Sequence, residues 1–463
     1  MTSAAPHQSI LDRPFVLDLF AGPGGLDVAG HVLDIPSLGI EWDKSACLTR
    51  YAAGLDTLHA DVSTIRRDSF ESLPPEINVL AGGPPCQTYS VAGHGAGREA
   101  LDKVTHYIDR LMAGESDEEI DKDLKKFSDD QRTALVLEPL RYAIQATRSP
   151  SRAHRPYDVI VLEQVPTVVP VWEHYAKALN ETGLPGLPGH ERVKYEVVVD
   201  VLATETYGVP QTRSRAVLIA RRKELGAPSL PEPTHFAYEP KGWIRRTASA
   251  ESQAYQPTLD GDSKPEAEER WQTADKKQQP KPKERWKSMG DVLRESVGTH
   301  PGRTTRFLVR SNYGSSGNPG RRGVRTDQQP AATVTGRISR FVVFEHLDEK
   351  IVREGPRFSM NEAGMLQSFP PDYPWTGTAQ AQQVGNAVPP AFGMHLLSAA
   401  LGLPVPDTEV LRKPWESATE EQRAKRRSHG CGDPDKCTDR CPRAQDQVPP
   451  PSSRPRKKKS VNQ

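Results

Sequence analysis

Two side chains of this sequence are of the kinds that do covalent and acid–base work, and each stands at the end of an apolar run. The first is Cys86, in Gly82-Gly83-Pro84-Pro85-Cys86-Gln87-Thr88-Tyr89-Ser90. Glycines let a backbone approach a ligand, and prolines stiffen the turn. A thiol on such a turn, at the carboxyl end of a buried strand, is placed to act as a nucleophile. Taken alone, a Pro-Cys pair more often marks a small buried cysteine after a turn. The second is Glu163, followed by Gln164-Val165-Pro166. It is either a carboxyl that works beside the thiol or a surface acid at a strand end. A turn from Tyr207 to Arg215 adds two arginines, Arg213 and Arg215.

Positioning these groups requires a sheet. Ile77-Asn78-Val79-Leu80 leads into the cysteine turn, and Tyr157-Asp158-Val159-Ile160-Val161-Leu162 leads into Glu163. Further strand-like runs are Phe15 to Phe20, Leu38 to Asp43, Val197 to Leu202 and Ala216 to Ala220. Their alternation with helical stretches predicts an α/β sheet with helices on both faces. The strand ending at Phe20 is followed at once by Ala21-Gly22-Pro23-Gly24-Gly25 and a helix start at Leu26. Strand, glycine turn and helix form the front of a nucleotide-type site. Glu41, at the end of the second strand, is placed to hold both hydroxyls of a ribose, and Trp42 to lie against an adenine face. Asp61, before Val62, is placed to accept from an adenine amine. The alternatives are a solvated carboxylate and a rim aromatic.

Composition excludes some classes. The chain has 463 residues, with 61 Lys and Arg against 60 Asp and Glu, for a net charge of +1. Any basic surface for nucleic acid must therefore be local. The start, Met1 to Ile10, lacks a signal-peptide pattern, and no apolar run approaches the ~20 residues of a membrane span. Cys47, Cys86, Cys431, Cys437 and Cys441 are odd in number and widely spaced, which predicts reduced thiols in a cytoplasm rather than disulfides. Residues 95–130 read as an insertion. Leu101, Val104, Ile108 and Leu111 have helical spacing, and the charge run from Glu115 to Asp130 reads as a solvated face. After residue 225 the texture turns rich in Pro, Gly and polar residues. Arg303, Arg306, Arg310, Arg321, Arg322 and Arg325 then lie among glycines, a composition suited to contacts with nucleic acid or to a basic loop. In the basic tail, His429, Cys431, Cys437 and Cys441 form a weak candidate zinc site against the alternative of free thiols. No metal is expected in catalysis.

Taken in order, the segments resemble the cytosine-5 DNA methyltransferase family from about Phe15 to Leu401. The specific pieces are Asp18 to Gly25, Pro84-Pro85-Cys86-Gln87, Gln211-x-Arg213-x-Arg215 and Gly385-Asn386-x-Val388-Pro389. The resemblance implies a Rossmann-like methyltransferase sheet that uses S-adenosyl-L-methionine and releases S-adenosyl-L-homocysteine, plus a smaller irregular target-recognition domain. It assigns Cys86, Glu163, Arg213 and Arg215 to catalysis. It assigns Phe20, Gly22, Gly24, Glu41, Trp42, Asp61, Val62, Pro85 and Asn386 to the cofactor. The implied reaction adds Cys86 to C6 of a flipped-out cytosine, with Glu163 donating at ring N3. The implied divisions are 14–225 catalytic, 226–375 target-recognition, 376–402 returning to the catalytic part, and 403–463 a tail.

Duplex DNA is the expected partner, with a cognate restriction endonuclease as functional partner, no membrane, and a monomer as the working form. One departure is Glu163-Gln164-Val165 where the family has Glu-Asn-Val. Two alternatives stay open. A transfer-RNA substrate fits the same scaffold, although no cysteine occurs between Cys86 and Cys431 to supply that group's Cys-Phe-Thr signature. A DNA-binding relative without activity is opposed by the presence of both Cys86 and Glu163.

Overall fold

Short apolar runs punctuated by glycine and proline produce an alternation of strands and helices in the first half of the chain, interrupted by the helices of the insertion. The elements are β1 (Val16–Leu19), α1 (Gly25–Val32), β2 (Ser37–Glu41), α2 (Lys44–Ala52), β3 (Thr57–His59) and β4 (Val79–Gly82). There follow α3 (Ala96–Ala113), α4 (Asp117–Phe127), α5 (Glu138–Arg148), β5 (Val159–Gln164), α6 (Val169–Lys177), β6 (Tyr195–Ala203) and β7 (Ser214–Arg222). The computed structural model describes residues 10–85, 96–127, 131–239, 282–297, 300–314, 322–347 and 350–416. Cys86 and the 87–95 stretch lie outside the described residues, as do Arg321, His429, Cys431, Cys437 and Cys441.

Seven strands form one sheet in the order β3-β2-β1-β4-β5-β7-β6. The first five run parallel, and β7 is antiparallel to both of its neighbours. β1, β4 and β5 are buried along their whole lengths, as continuous apolar strands covered on both faces must be. Alternate side chains enter two cores. Val16, Val79, Val159, Val161, Val217 and Ile219 face one, and Leu17, Leu80, Ile160, Leu162 and Leu218 face the other. Because these strands are parallel, the residues that end β1, β2, β4 and β5 come out along one edge of the sheet. There stand Phe20, Glu41, Gly83 and Glu163.

The second half of the chain builds α7 (Met289–Leu293), β8 (Arg306–Gly314), β9 (Arg322–Thr326), β10 (Val342–Leu347) and β11 (Lys350–Glu354). It ends in α8 (Met360–Leu366), α9 (Gln380–Asn386) and α10 (Pro390–Leu401). β8 to β11 form a separate antiparallel sheet in the order β11-β10-β8-β9, so this part is more regular than its glycine-rich sequence suggests. The last helices come back to the first sheet. Gly393 of α10 lies so close to α1 that a Cβ there would meet Ala29 Cβ at 3.0 Å. Gln383 of α9 donates to Ser45 Oγ at 2.8 Å and accepts from Thr49 Oγ1 at 2.7 Å, both on α2.

α3 matches the helical spacing in the insertion, with Val104, Ile108 and Leu111 buried. The charge run does not behave as a simple solvated face. Asp117 and Asp121 of α4 pair with Arg66 and Arg141, whose side chains are 2% and 3% exposed. Sequence spacing could not show this, because both arginines come from other elements. Among the described residues no helix is long and apolar enough to cross a membrane.

Two groups buried behind the sheet edge generate predictions. Arg50, fully buried, donates to Asp27 Oδ2 at 2.6 Å, to Thr57 Oγ1 at 2.9 Å and to the Asp56 carbonyl at 3.1 Å. Arg50→Ala orphans Asp27, and urea unfolding should read a loss of about 3–5 kcal/mol. His395 of α10 packs against the Tyr207 ring at 5.0 Å, and burial pushes its pKa down to about 4. The folded state therefore holds it neutral, while the unfolded chain protonates below the ordinary value of 6.5. Stability should be full above that value and fall by up to about 1.4 kcal/mol per pH unit on acidification towards 4. His395→Phe should flatten this part of the pH profile of unfolding.

Candidate active site

The register of β4 and β5 sets Gly82 opposite Leu162, so Gly83 and Glu163 follow side by side beyond the paired ends. A Cβ on Gly83 would stand 3.5 Å from the Glu163 carbonyl oxygen and 3.7 Å from its Oε2. The next residue of β5, Gln164, ties the two tips together. Its Nε2 donates to the Pro84 carbonyl, and its Oε1 accepts from Val165 N at 2.6 Å. The backbone that leads into Cys86 is thus held from the strand bearing Glu163.

Glu163 is 8% exposed and faces Arg215, near the start of β7, with 2.8 Å between Oε1 and Nε. The contact is an ion pair with poor hydrogen-bond alignment. Burial lowers the pKa of Arg215, and Glu163 acts in the opposite direction. Arg213 points elsewhere. Its Nη1 donates to the carbonyls of Val334 and Gly385, each at 3.1 Å, and Nη2 reaches that of Ala387 at 3.5 Å. Gln211 does similar work, donating to the Leu366 carbonyl at 3.1 Å and accepting from Val334 N at 2.8 Å. Of the three polar residues in this motif, two bind the late segments to the sheet and Arg215 faces the carboxyl.

The glycine turn after β1 forms the other half of the edge. Phe20 and Gly22 are left-handed, with φ of 61° and 54°, and the side chain of Phe20 makes that conformation costly, by about 1 kcal/mol. Gly22 N donates to Glu41 Oε2 at 2.7 Å, and Asp43 N donates to Oε1 at 2.6 Å. Glu41 therefore clamps the turn to the tip of β2. Asp61 caps the short helix Val62–Thr64, accepting from Ser63 N at 2.9 Å and Thr64 N at 3.1 Å. Trp42 is 72% exposed. Beneath the turn lies Asp18, whose carboxyl burial pushes well above the usual range, with Asp27 and Glu41 adding to the rise and Arg50 opposing it.

Phe20, Gly22, Glu41, Trp42, Asp61, Val62, Pro85 and Asn386 all border one cavity of about 1460 Å³, together with Glu163, Arg213 and Arg215. Gly24 is the exception among the predicted residues. It lies behind the turn, where a Cβ would meet Leu55 Cδ1 at 2.2 Å and Tyr373 Oη at 3.1 Å. The wall has a polar clamp at Glu41, an apolar side from Phe20, Leu26 and Val62, and an acid at Glu163. Sequence reading missed Arg50, Asp18 and Tyr373 as supports of this site. Tyr373 Oη donates to the Pro23 carbonyl at 2.6 Å across 350 residues, a contact with no local signal.

The arginines of the small sheet are largely engaged within the chain. Arg303 pairs with Glu362 at 2.5 Å, and Arg306 with Asp327 at 2.8 Å. Arg325 donates to the Pro330 and Ala331 carbonyls at 2.7 and 3.0 Å. Arg310 lies over the Phe344 ring at 5.1 Å. Among the described residues no group of three or more His, Cys, Asp or Glu is arranged to hold a metal ion.

The contrast between two glycines is testable. Gly22 has φ of 54° and open space where a Cβ would go, whereas Gly24 has φ of 103° and no room. Gly22→Ala should cost about 1 kcal/mol of unfolding free energy. Gly24→Ala should cost about 3 kcal/mol, because strain and overpacking add. Denaturant titration of both variants checks the order.

Against known proteins, the model of the family described as C-5 cytosine-specific DNA methylase matches residues 15–111 and 186–401. The Type II methyltransferase M1.HphI of Haemophilus parahaemolyticus is 26% identical over 398 residues, covering 83% of this chain and 86% of that protein. The Type II methyltransferase M.AquIA of a Picosynechococcus strain is 29% identical over 232 residues, covering 48% of this chain and 76% of that one. The crystal structure of S. pombe Dnmt2 methyltransferase aligns with a TM-score of 0.46 at 15% identity, over 84% of this chain and 99% of that chain.

Proposed function

Since the chain belongs to the C-5 cytosine-specific DNA methylase family and is a DNA cytosine-5 methyltransferase, we propose that it methylates one cytosine within a specific duplex sequence through a covalent adduct of Cys86. The observation that carries this reading is the meeting of Glu163 with the Gly83-Pro84 turn at adjacent strand tips, beside the cavity that also holds Gly22 and Glu41. The cavity fits S-adenosyl-L-methionine. Gly22 leaves open space at a left-handed turn, Glu41 offers a carboxylate fixed by two backbone N–H groups, and Phe20, Trp42 and Val62 supply apolar and aromatic surface for an adenosyl group. Pro85 and Asn386 complete the set from opposite ends of the chain.

When bound, S-adenosyl-L-methionine supplies an electrophilic methyl group to carbon 5 of the cytosine. The chain's task is to make that carbon nucleophilic. The Cys86 thiolate adds to C6, which raises electron density at C5. The Glu163 carboxyl donates a proton at ring N3, where negative charge develops, and Arg215 holds its side chain in place. Loss of the C5 proton then expels Cys86 and restores the aromatic ring. Gln164 keeps the turn and the acid in register from a single strand, a role for which its extra methylene is long enough. Arg213 serves the site by fastening the segment that carries Asn386.

The target base must leave the duplex, at a cost of a few kcal/mol. Residues 226–375, with their small sheet, are the proposed reader of the target. The working form is proposed to be a monomer in the cytoplasm. The names of the similar Type II methyltransferases support a further proposal, that the product protects DNA from a cognate restriction endonuclease.

Transfer of labelled methyl to unmethylated duplex DNA, with base-resolution mapping, tests the reading. Label on cytosine C5 in one short repeated context is expected, and label on RNA alone would overturn it. Cys86→Ala should abolish transfer while S-adenosyl-L-homocysteine still binds. Glu163→Gln should lower kcat by about 10²- to 10⁴-fold, measured in single-turnover assays.

A further inference from the structure

Part of the cavity wall comes from none of the strand tips. Glu118, Asp121, Lys122 and Leu124 belong to α4, within the insertion, and border the same space as Trp42, Asp61 and Val62. The helix sinks Ile120, which is fully buried, and packs the half-buried Leu124 against the same core. Its other attachments are ionic, and one joins Asp123 to Arg110 of α3 at 2.9 Å. Asp117 pairs with Arg66 and lies 3.6 Å from Arg141 Nε, and Asp121 accepts from Arg141 Nη1 at 2.7 Å.

Both arginines rest on one buried carboxylate. Glu138 lies 2.8 Å from Arg66 Nε and 3.3 Å from Arg141 Nη1. Arg66 lies in the turn Ile65–Ser69 that continues the short helix capped by Asp61. Glu138 opens α5, whose Tyr142 Oη donates to the Val62 carbonyl at 2.7 Å. The elements that hold the Asp61–Val62 side of the cavity therefore also hold α4. Without Asp117 and Asp121, two buried guanidinium groups would face a single buried carboxylate, so the outer acids balance the charge of the anchor. Their side chains are 30% and 24% exposed, which leaves these pairs open to screening.

We propose that α4 is an added wall over the adenosyl end of the cofactor pocket, and that Asp117 and Asp121 are positioning residues that latch it to Arg66 and Arg141. The inference rests on the reading of this cavity as the S-adenosyl-L-methionine site. Both acids attach to elements on the Asp61–Val62 side and not to the strand tip that carries Glu163, so the latch acts on cofactor affinity and not on the chemical step.

Calorimetric titration of the full chain with S-adenosyl-L-homocysteine, paired with methylation kinetics, tests it. Asp117→Asn/Asp121→Asn should weaken binding by about tenfold and raise the cofactor KM to match. kcat should stay within about twofold, because the interactions lost are made equally before and during reaction. Asp117→Glu/Asp121→Glu, which keeps both charges, should restore most of the affinity. An unchanged Kd in the Asn variant, or a fall in kcat at constant KM, would overturn the latch. Failure of the unaltered chain to bind S-adenosyl-L-homocysteine would instead remove the cofactor reading on which the latch stands. Should the Asn variant not fold, hydrogen exchange on the unaltered chain decides. Amides of residues 117–127 should exchange more slowly with S-adenosyl-L-homocysteine present, and equal rates would refute the proposal.

Discussion

The site depends on a fully buried ion pair between Arg50 and Asp27. Arg50 reaches from α2 under the glycine turn to Asp27 of α1 at 2.6 Å, and on to Thr57 and Asp56 beside β3. One side chain thus joins the first three strand–helix units of the sheet. Its guanidinium needs space, and Gly39 of β2 provides it, since a Cβ there would meet Arg50 Nη2 at 1.9 Å. A buried charge pair of this kind adds little net stability over an apolar pair of equal volume, yet breaking it is severe. Its contribution is to fix geometry, because it admits only the arrangement in which turn, helix and both strands are in place. Asp18, beneath the turn and held towards its neutral form by burial, avoids adding a second carboxylate beside the single guanidinium.

From this anchor the two halves of the site follow by sheet geometry. Parallel strands deliver their carboxyl ends to one edge, so the Glu41 clamp on Gly22 and the Gln164 tie on Pro84 lie in a row without long loops. Both devices use a side chain at the tip of one strand to hold backbone leaving the neighbouring strand. Precision at the reacting end then comes from the sheet itself, the most rigid part of the chain.

How much of this was legible beforehand depended on range. Strand and turn identity is local, so the runs ending at Phe20, Gly82 and Glu163 could be read from apolar stretches and the glycines and prolines that stop them. So could α3, from the spacing of Val104, Ile108 and Leu111. Polar contacts between distant segments leave no such trace. Arg213 borders the cavity, but its carbonyl partners at Val334 and Gly385 left no local signal in the sequence. The acids of α4 read as solvated because Arg66 lies 51 residues before Asp117. The glycine-rich stretch around β8 to β11 hid a sheet, because its short apolar runs, Phe307-Leu308-Val309 and Phe341-Val342-Val343-Phe344, are set far apart among arginines and glycines.

The return of the chain onto its own beginning has a consequence for how the protein is made. Gly25 has no Cβ because the Val388 carbonyl occupies that place, at 1.9 Å from where one would be. Ile10 N donates to the Leu401 carbonyl at 3.0 Å, closing the same seam. A ribosome releases the glycine turn long before it releases the segment that covers it. Throughout that interval the nascent chain carries an unfinished pocket with apolar surface on α1 uncovered, a period of exposure that contacts of such long range impose. The pocket becomes whole only when the last helix emerges, so a truncated chain has no complete site with which to engage DNA.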